Sequence, residues 1–194
     1  MSYHIYTTDG IILKRTIFGE ANILLYILTE DLGLIIASAR SARLSASKLR
    51  GALQEYTRIS VSVVKGKNGW KVTNVSEKDN FFFECPDYSK KILAQVSFVL
   101  LKMIQGETPH PEIFQTIVAG FEFLKNVSEK DISNFETLII LRLLYQLGYV
   151  AKSSNTEIHI KNIKEWDDSL LEQIPKNKEI LIKTINKALK ESHL

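Results

Sequence analysis

Between Ser38 and Lys71 the chain carries eight cations, Arg40, Arg43, Lys48, Arg50, Arg58, Lys65, Lys67 and Lys71, against one acid, Glu55. Surface cations are ordinarily interleaved with carboxylates, so a balance of +7 over 34 residues points to a negatively charged partner. The chemistry that such a set supports is phosphate contact. Each lysine or arginine that neutralises a phosphate releases a condensed counterion, which gives salt-dependent, largely sequence-independent affinity. In SARSARLSASKLRGAL (residues 38–53) the cations alternate with serine, alanine and glycine, small enough to let a polyanion backbone approach. Tyr56 and Trp70 lie in the flanking segments, where their rings are expected to stack bases. The competing readings are a solvated, solubilising face and a strip that docks an acidic protein tail.

Catalytic constellations are missing. His4, His110, His159 and His193 fall in separate elements without metal-ligand spacing, and the one cysteine, Cys85, has no histidine near it in sequence. No glycine-rich phosphate loop of the form GxxxxGK occurs, and Lys65-Gly66-Lys67 reads as a turn. Asp167 and Asp168 are adjacent at a helix start, where carboxylates favour the dipole. No acidic metal cluster accompanies the basic strip, which ranks a nuclease far behind. The expectation is a protein that is not an enzyme, with no cofactor and no metal.

The elements that hold the cations are strands. TDGIILKRTIF, ANILLYILTE and LGLIIASAR read as three, with Glu30-Asp31-Leu32-Gly33 as a hairpin link. In YTRISVSVVKG, Thr57, Ile59, Val61 and Val63 alternate with polar residues, the period of a half-buried strand. Asn68-Gly69 marks a hairpin to a fifth strand, WKVTNVSE. Five short strands with one irregular connection, between the third and fourth, fit a small barrel. From about Asp87 the period becomes helical, with Ile92, Val96, Val99, Leu100 and Met103 on one stripe. Further helices are expected from Pro111, over SEKDISNFETLIILRLLYQLG as the central buried helix, and on either side of Pro175. SSNTEIHIKN suggests a short strand pair, and Phe81 to Pro86 suggests packing between the modules.

Charge divides the same way: residues 1–80 hold 11 Lys/Arg against 7 Asp/Glu, whereas residues 81–194 hold 14 against 15. A basic β-rich module over 1–80 and a neutral helical module over 81–194 are therefore expected. A single cysteine, no signal-like N-terminus and no long apolar run indicate a reducing, cytoplasmic setting and no membrane contact.

The residues resemble the RecO recombination mediators of bacteria. The likeness runs through Asp9-Gly10, Phe18-Gly19-Glu20-Ala21-Asn22, Leu28-Thr29 to Gly33, Ser38-Ala39-Arg40, and Ser47 to Tyr56. It returns at FETLIILRLLYQLGYVA. Ser38 stands where the family has the glycine of a GAR strand end, and Glu55 where it has the proline of LQPF. Many members carry a four-cysteine zinc motif after the LGY helix. This chain has VAKSSNTEIHIKN there, hence the prediction of no zinc.

The resemblance implies an α+β protein, an N-terminal five-stranded OB-fold barrel and an all-α C-terminal domain. It implies a mediator that binds single- and double-stranded DNA and anneals complementary strands. RecR and the single-strand-binding protein would be its partners in loading RecA, in the bacterial cytoplasm at the nucleoid. Phosphate contact is then assigned to Lys14, Arg15, Arg40, Arg43, Lys48, Arg50, Arg58, Lys65, Lys67 and Lys71, and base stacking to Tyr56 and Trp70. The acidic tail of the single-strand-binding protein would meet the helical domain, with Arg142 as the first candidate and Lys125 and Lys152 after it. Arg142, amid leucines, must otherwise pair internally, with Glu122 or Glu136 as the expected carboxylates.

Overall fold

A computed structural model describes residues 4–40 and 51–192. Arg43, Lys48, Arg50 and His193 lie outside the described residues. The chain separates into two compact units, one of residues 1–84 with 104–114, the other of 85–103 with 115–194.

The first unit is a closed barrel of β1 (Ile5–Phe18), β2 (Asn22–Thr29), β3 (Gly33–Ala39), β4 (Thr57–Gly66) and β5 (Gly69–Asn80). Its strand order, β1-β2-β3-β5-β4, with β4 pairing back onto β1, is that of an OB-fold. The β3–β5 pair is parallel, so a tight turn cannot join it, and the chain reaches β5 by way of β4. The 14-residue β1 serves two neighbours: Ile5 to Ile11 pair with β4, and Gly10 to Phe18 with β2. At the changeover it passes so close to β2 that a Cβ on Gly10 would stand 2.6 Å from the Ile27 side chain. A register shift between Ile12 and Lys14 lets Ile11, Ile12 and Leu13 all be buried before the strand emerges at Lys14.

Inward positions of every strand meet in one core of Ile12, Ile23, Leu25, Ile27, Ile35, Ala37, Ile59, Val61, Val63 and Trp70, closed by Leu53 from the β3–β4 connection. The β2–β3 turn ends on Gly33 at φ +71, and a Cβ there would lie 2.5 Å from the Thr108 carbonyl oxygen. A backbone in that conformation and that close admits glycine alone. After β5, Phe81–Glu84 forms a single helical turn, α1.

The second unit is built on α2 (Lys90–Met103), the C-terminal part of α3 (Pro111–Leu124), α4 (Ile132–Gln146), the single turn α5 (Glu157–Ile160) and α6 (Asp168–Glu191). α4 is the central helix that its all-round apolarity predicts, buried at Phe135 and throughout Thr137 to Leu144. Two expectations fail. Residues 153–162 form no strand pair: Thr156 holds that segment with hydrogen bonds to Ala151 and Ser153, and a helical turn follows. Pro175 does not split the last helix, which runs unbroken for 24 residues. A proline inside a helix costs ~3 kcal/mol. Here Leu171, Ile174, Leu181, Ile185 and Ala188 form one buried stripe across it, and that packing outweighs the lost backbone hydrogen bond.

Candidate nucleic-acid interface

The strand registers set the cations on the barrel. Lys14 pairs with Tyr26, and Tyr26 with Ile36, so one outward row crosses β1, β2 and β3. The next outward row runs from Thr16 through Leu24 and Ser38 to Lys71 on β5. Three strand spacings, about 15 Å, separate Lys14 from Lys71 along this sheet. Lys14 is exposed and lies 5.7 Å from the Tyr26 ring centroid. Arg40 is exposed at the end of β3, and Lys67 is exposed in the β4–β5 turn beside the start of β5. Arg15 is half-buried; its backbone N–H donates to Glu55 Oε1 at 2.8 Å and its guanidinium to Gln54 Oε1 at 3.1 Å. Among the described residues, Lys14, Arg15, Arg40, Lys67 and Lys71 form no ion pair.

Two other described cations of the strip, Arg58 and Lys65, are committed to carboxylates of the first unit. Arg58 lies between Asp9 at 3.3 Å and Asp79 at 3.4 Å, and Lys78 also reaches Asp9, at 2.6 Å. Lys65 bonds Glu107 at 2.5 Å and sits 5.1 Å from the Trp70 ring centroid. The Lys65 hydrogen bond holds the Glu107 carboxyl below the usual range. The acids that neutralise Arg58 and Lys65 lie 49, 21 and 42 residues away in sequence, which is why the local count showed only Glu55.

The aromatic assignments need correction. Trp70 is 6% exposed, part of the barrel core, with its indole N–H donating to Glu107 Oε1 at 2.9 Å. It offers no face to a base. Tyr56 is half-buried and stacks at 6.4 Å on Phe82. Burial first, then the Glu55 carboxylate, push its phenol above the ordinary value, so it stays a protonated donor. Of the phenylalanine run expected to pack between modules, only Phe81 is buried; Phe82 is 38% and Phe83 73% exposed. Tyr26 gained no role from the sequence although the alternation of β2 points it outward, and Phe82 and Phe83 sit in a one-turn helix too short to show a period.

Arg142 also departs from expectation, both as a partner contact and as half of a carboxylate pair. It is 0% exposed. Its Nε donates to the His159 carbonyl at 2.8 Å, and its terminal nitrogens donate to Ile163 at 3.1 Å, Glu165 at 2.7 Å and Asn162 at 3.3 Å. The guanidinium also lies 4.4 Å from the Trp166 ring centroid. Burial pulls its pKa down to about 10, against the opposing pull of Asp167 and Glu165, so it is a cation at neutral pH. Arg142 folds the segment after α4 and is unavailable to a partner. Lys125 pairs with Glu122 at 2.8 Å, and Lys152 with Glu157 at 2.9 Å. The groove of the second unit, about 740 Å³ between α2, α4 and α6, has Glu136 in its lining and neither lysine nor arginine.

His159, next to this cluster, is 0% exposed, and neither ring nitrogen has a partner among the described residues. Burial, then Arg142, hold its pKa below 6.5. The unfolded chain therefore binds the proton first, and stability is lost as pH falls below 6.5. Thermal unfolding recorded from pH 7.5 down to 5 is expected to show a falling midpoint. His159→Leu is expected to flatten that fall, and an unchanged slope in this variant would refute the assignment.

Among the described residues no helix is long and apolar enough to cross a membrane, and no group of three His, Cys, Asp or Glu could hold a metal ion. Residues 1–80, the barrel itself, match the family described as Recombination protein O N terminal. A DNA repair protein RecO of Dehalococcoides mccartyi is 32% identical over 152 residues, covering 75% of this chain and 57% of that protein. The protein of that name from Desulfitobacterium hafniense is 29% identical over 147 residues, with 75% and 52% covered. That of Desulfatibacillum aliphaticivorans is 24% identical over 164 residues, with 82% and 63% covered. The chain thus spans little more than half the length of the first of these relatives. An OB barrel that matches the N-terminal RecO model, with relatives of one name aligning well past it into the helices, makes residues 1–80 a RecO-type N-terminal domain in a chain similar to the RecO proteins.

Proposed function

We propose that this chain is a non-enzymatic mediator of DNA repair and recombination that binds single- and double-stranded DNA and anneals complementary strands. The observation that carries the reading is the outer β1-β2-β3-β5 face, where Lys14 and Lys71 flank Tyr26 with Arg40 and Lys67 at its margins. The strand 2–3 face and the adjoining loops are where OB-folds hold oligonucleotides. Residues 1–80 are the DNA-binding module in this reading. Annealing requires no reacting group: cations that neutralise two backbones on one surface remove the repulsion between them. RecR, the single-strand-binding protein and, through them, RecA are the proposed partners, in the cytoplasm. The groove lining of the second unit adds no support for an acidic tail there.

The test is fluorescence anisotropy of a labelled single strand at several salt concentrations. Binding is expected to weaken steeply, with a log–log slope of about −0.7 per phosphate contact. No binding, or binding indifferent to salt, would overturn the proposal. Retention of an acidic peptide in place of DNA would turn it toward a protein adaptor.

A further inference from the structure

Apart from the β-face, the first unit has a depression of about 480 Å³ whose lining combines flat rings with hydrogen-bonding groups. Its apolar part is Ile17, Phe82 and Phe83, its polar part Arg15, Gln54 and Glu55, with Tyr56 completing it. Phe83, 73% exposed, meets Phe82 edge-on at 5.4 Å, and Phe82 stacks on Tyr56 with the planes 25° apart. Three rings thus brace one another while the outermost keeps its surface open. With Ile17 and Phe82, also exposed and in the same lining, it makes an apolar patch of the kind that marks a ligand site.

The backbone reinforces the arrangement. Tyr56 has φ +63, the one non-glycine residue at positive φ among the described residues. A bulky side chain there stores about 1–3 kcal/mol of strain, a condition that clusters at functional sites. Two hydrogen bonds hold it: Tyr56 N–H to the Ile12 carbonyl at 2.7 Å, and Phe81 N–H to the Tyr56 carbonyl at 3.2 Å. The second of these also anchors the turn that presents Phe82 and Phe83.

The lining says which part of a nucleotide fits. One arginine and one carboxylate leave the depression close to neutral, so it is a poor seat for a phosphate. It suits a flat, uncharged group with donors and acceptors on its edge. We infer that Phe83, braced by Phe82 and Tyr56, is a base-stacking site that receives an unpaired nucleobase while the phosphates stay with the cations outside. Every base has a π-face, so the site tolerates any sequence, and it selects single strands because paired bases are already stacked.

This inference rests on the DNA reading above, and the experiment separates the two. Affinity is measured for an oligothymidylate and for an abasic phosphodiester strand of equal length, in the full chain. Wild type is expected to prefer the thymidylate. Phe83→Ala is expected to weaken thymidylate binding roughly 5- to 100-fold while leaving abasic-strand binding and the salt slope unchanged. Phe83→Tyr should restore the preference and Phe83→Leu should not, since leucine keeps apolar area but no π-face. Equal wild-type affinity for both strands, or equal loss on both in Phe83→Ala, overturns the stacking site and leaves DNA binding standing. Failure of wild type to bind either strand overturns both.

Discussion

Arg142→Met is expected to cost the fold about 3–5 kcal/mol, read by urea unfolding followed by far-UV circular dichroism. Methionine replaces the apolar stem well, so the loss is that of the fork. The carbonyls of His159, Asn162, Ile163 and Glu165 lose their shared donor, and Trp166 loses the cation at its face. A buried acceptor stripped of its partner costs about 1–3 kcal/mol, partly recovered where water can enter. Arg142→Lys should recover only a fraction, because one ammonium cannot span four carbonyls that a planar guanidinium reaches together. If the methionine variant unfolded at the wild-type urea midpoint, the cluster would not be the organiser of residues 157–166. If its DNA affinity fell while stability held, Arg142 would have to contact the ligand, against its complete burial.

Reversing Arg40, Arg43, Lys48 and Arg50 together to glutamate is expected to abolish oligonucleotide binding with the circular dichroism spectrum unchanged. Four lost contacts to a single strand flatten the log–log salt slope by about 3, which at 0.1 M salt corresponds to a loss on the order of 10³-fold before repulsion is added. The matching control is Arg58→Gln with Lys65→Gln. Both cations already face carboxylates, Asp9 with Asp79 and Glu107, so their removal should leave the slope nearly as it was. Equal binding by the folded quadruple variant would remove the basic strip from the interface. A large loss in the Arg58/Lys65 control would mean that those ion pairs open to receive DNA.

Much of the barrel was legible because its signals are local. Alternation in Thr57 to Val63, the turn before Gly69 and the hairpin at Gly33 each depend on neighbours a few residues apart, and strands form there. The all-round apolarity of Leu138 to Leu147 likewise foretold a central helix. The failures share a cause. At Pro175 a local penalty met a buried stripe 18 residues long, and the stripe won. At 153–162 the polar pattern has no period, and the segment takes its shape from the donors of Arg142.

Net positive charge in the first eighty residues, the strand order-forming patterns and the family's motifs are properties of the chain as written. Which cations remain unpaired is not. Sequence counting treats Arg58 and Arg40 alike, yet the β1–β4 and β4–β5 registers set Arg58 between two aspartates while Arg40 stays exposed at a strand end. Aromatic rings sort by the same rule: Trp70 turned into the core while Phe83, two residues after a buried Phe81, turned out. Charge and ring are carried by the residue, whereas neutralisation and burial belong to pairs of residues, and the partners are brought together only when the strands close into a barrel.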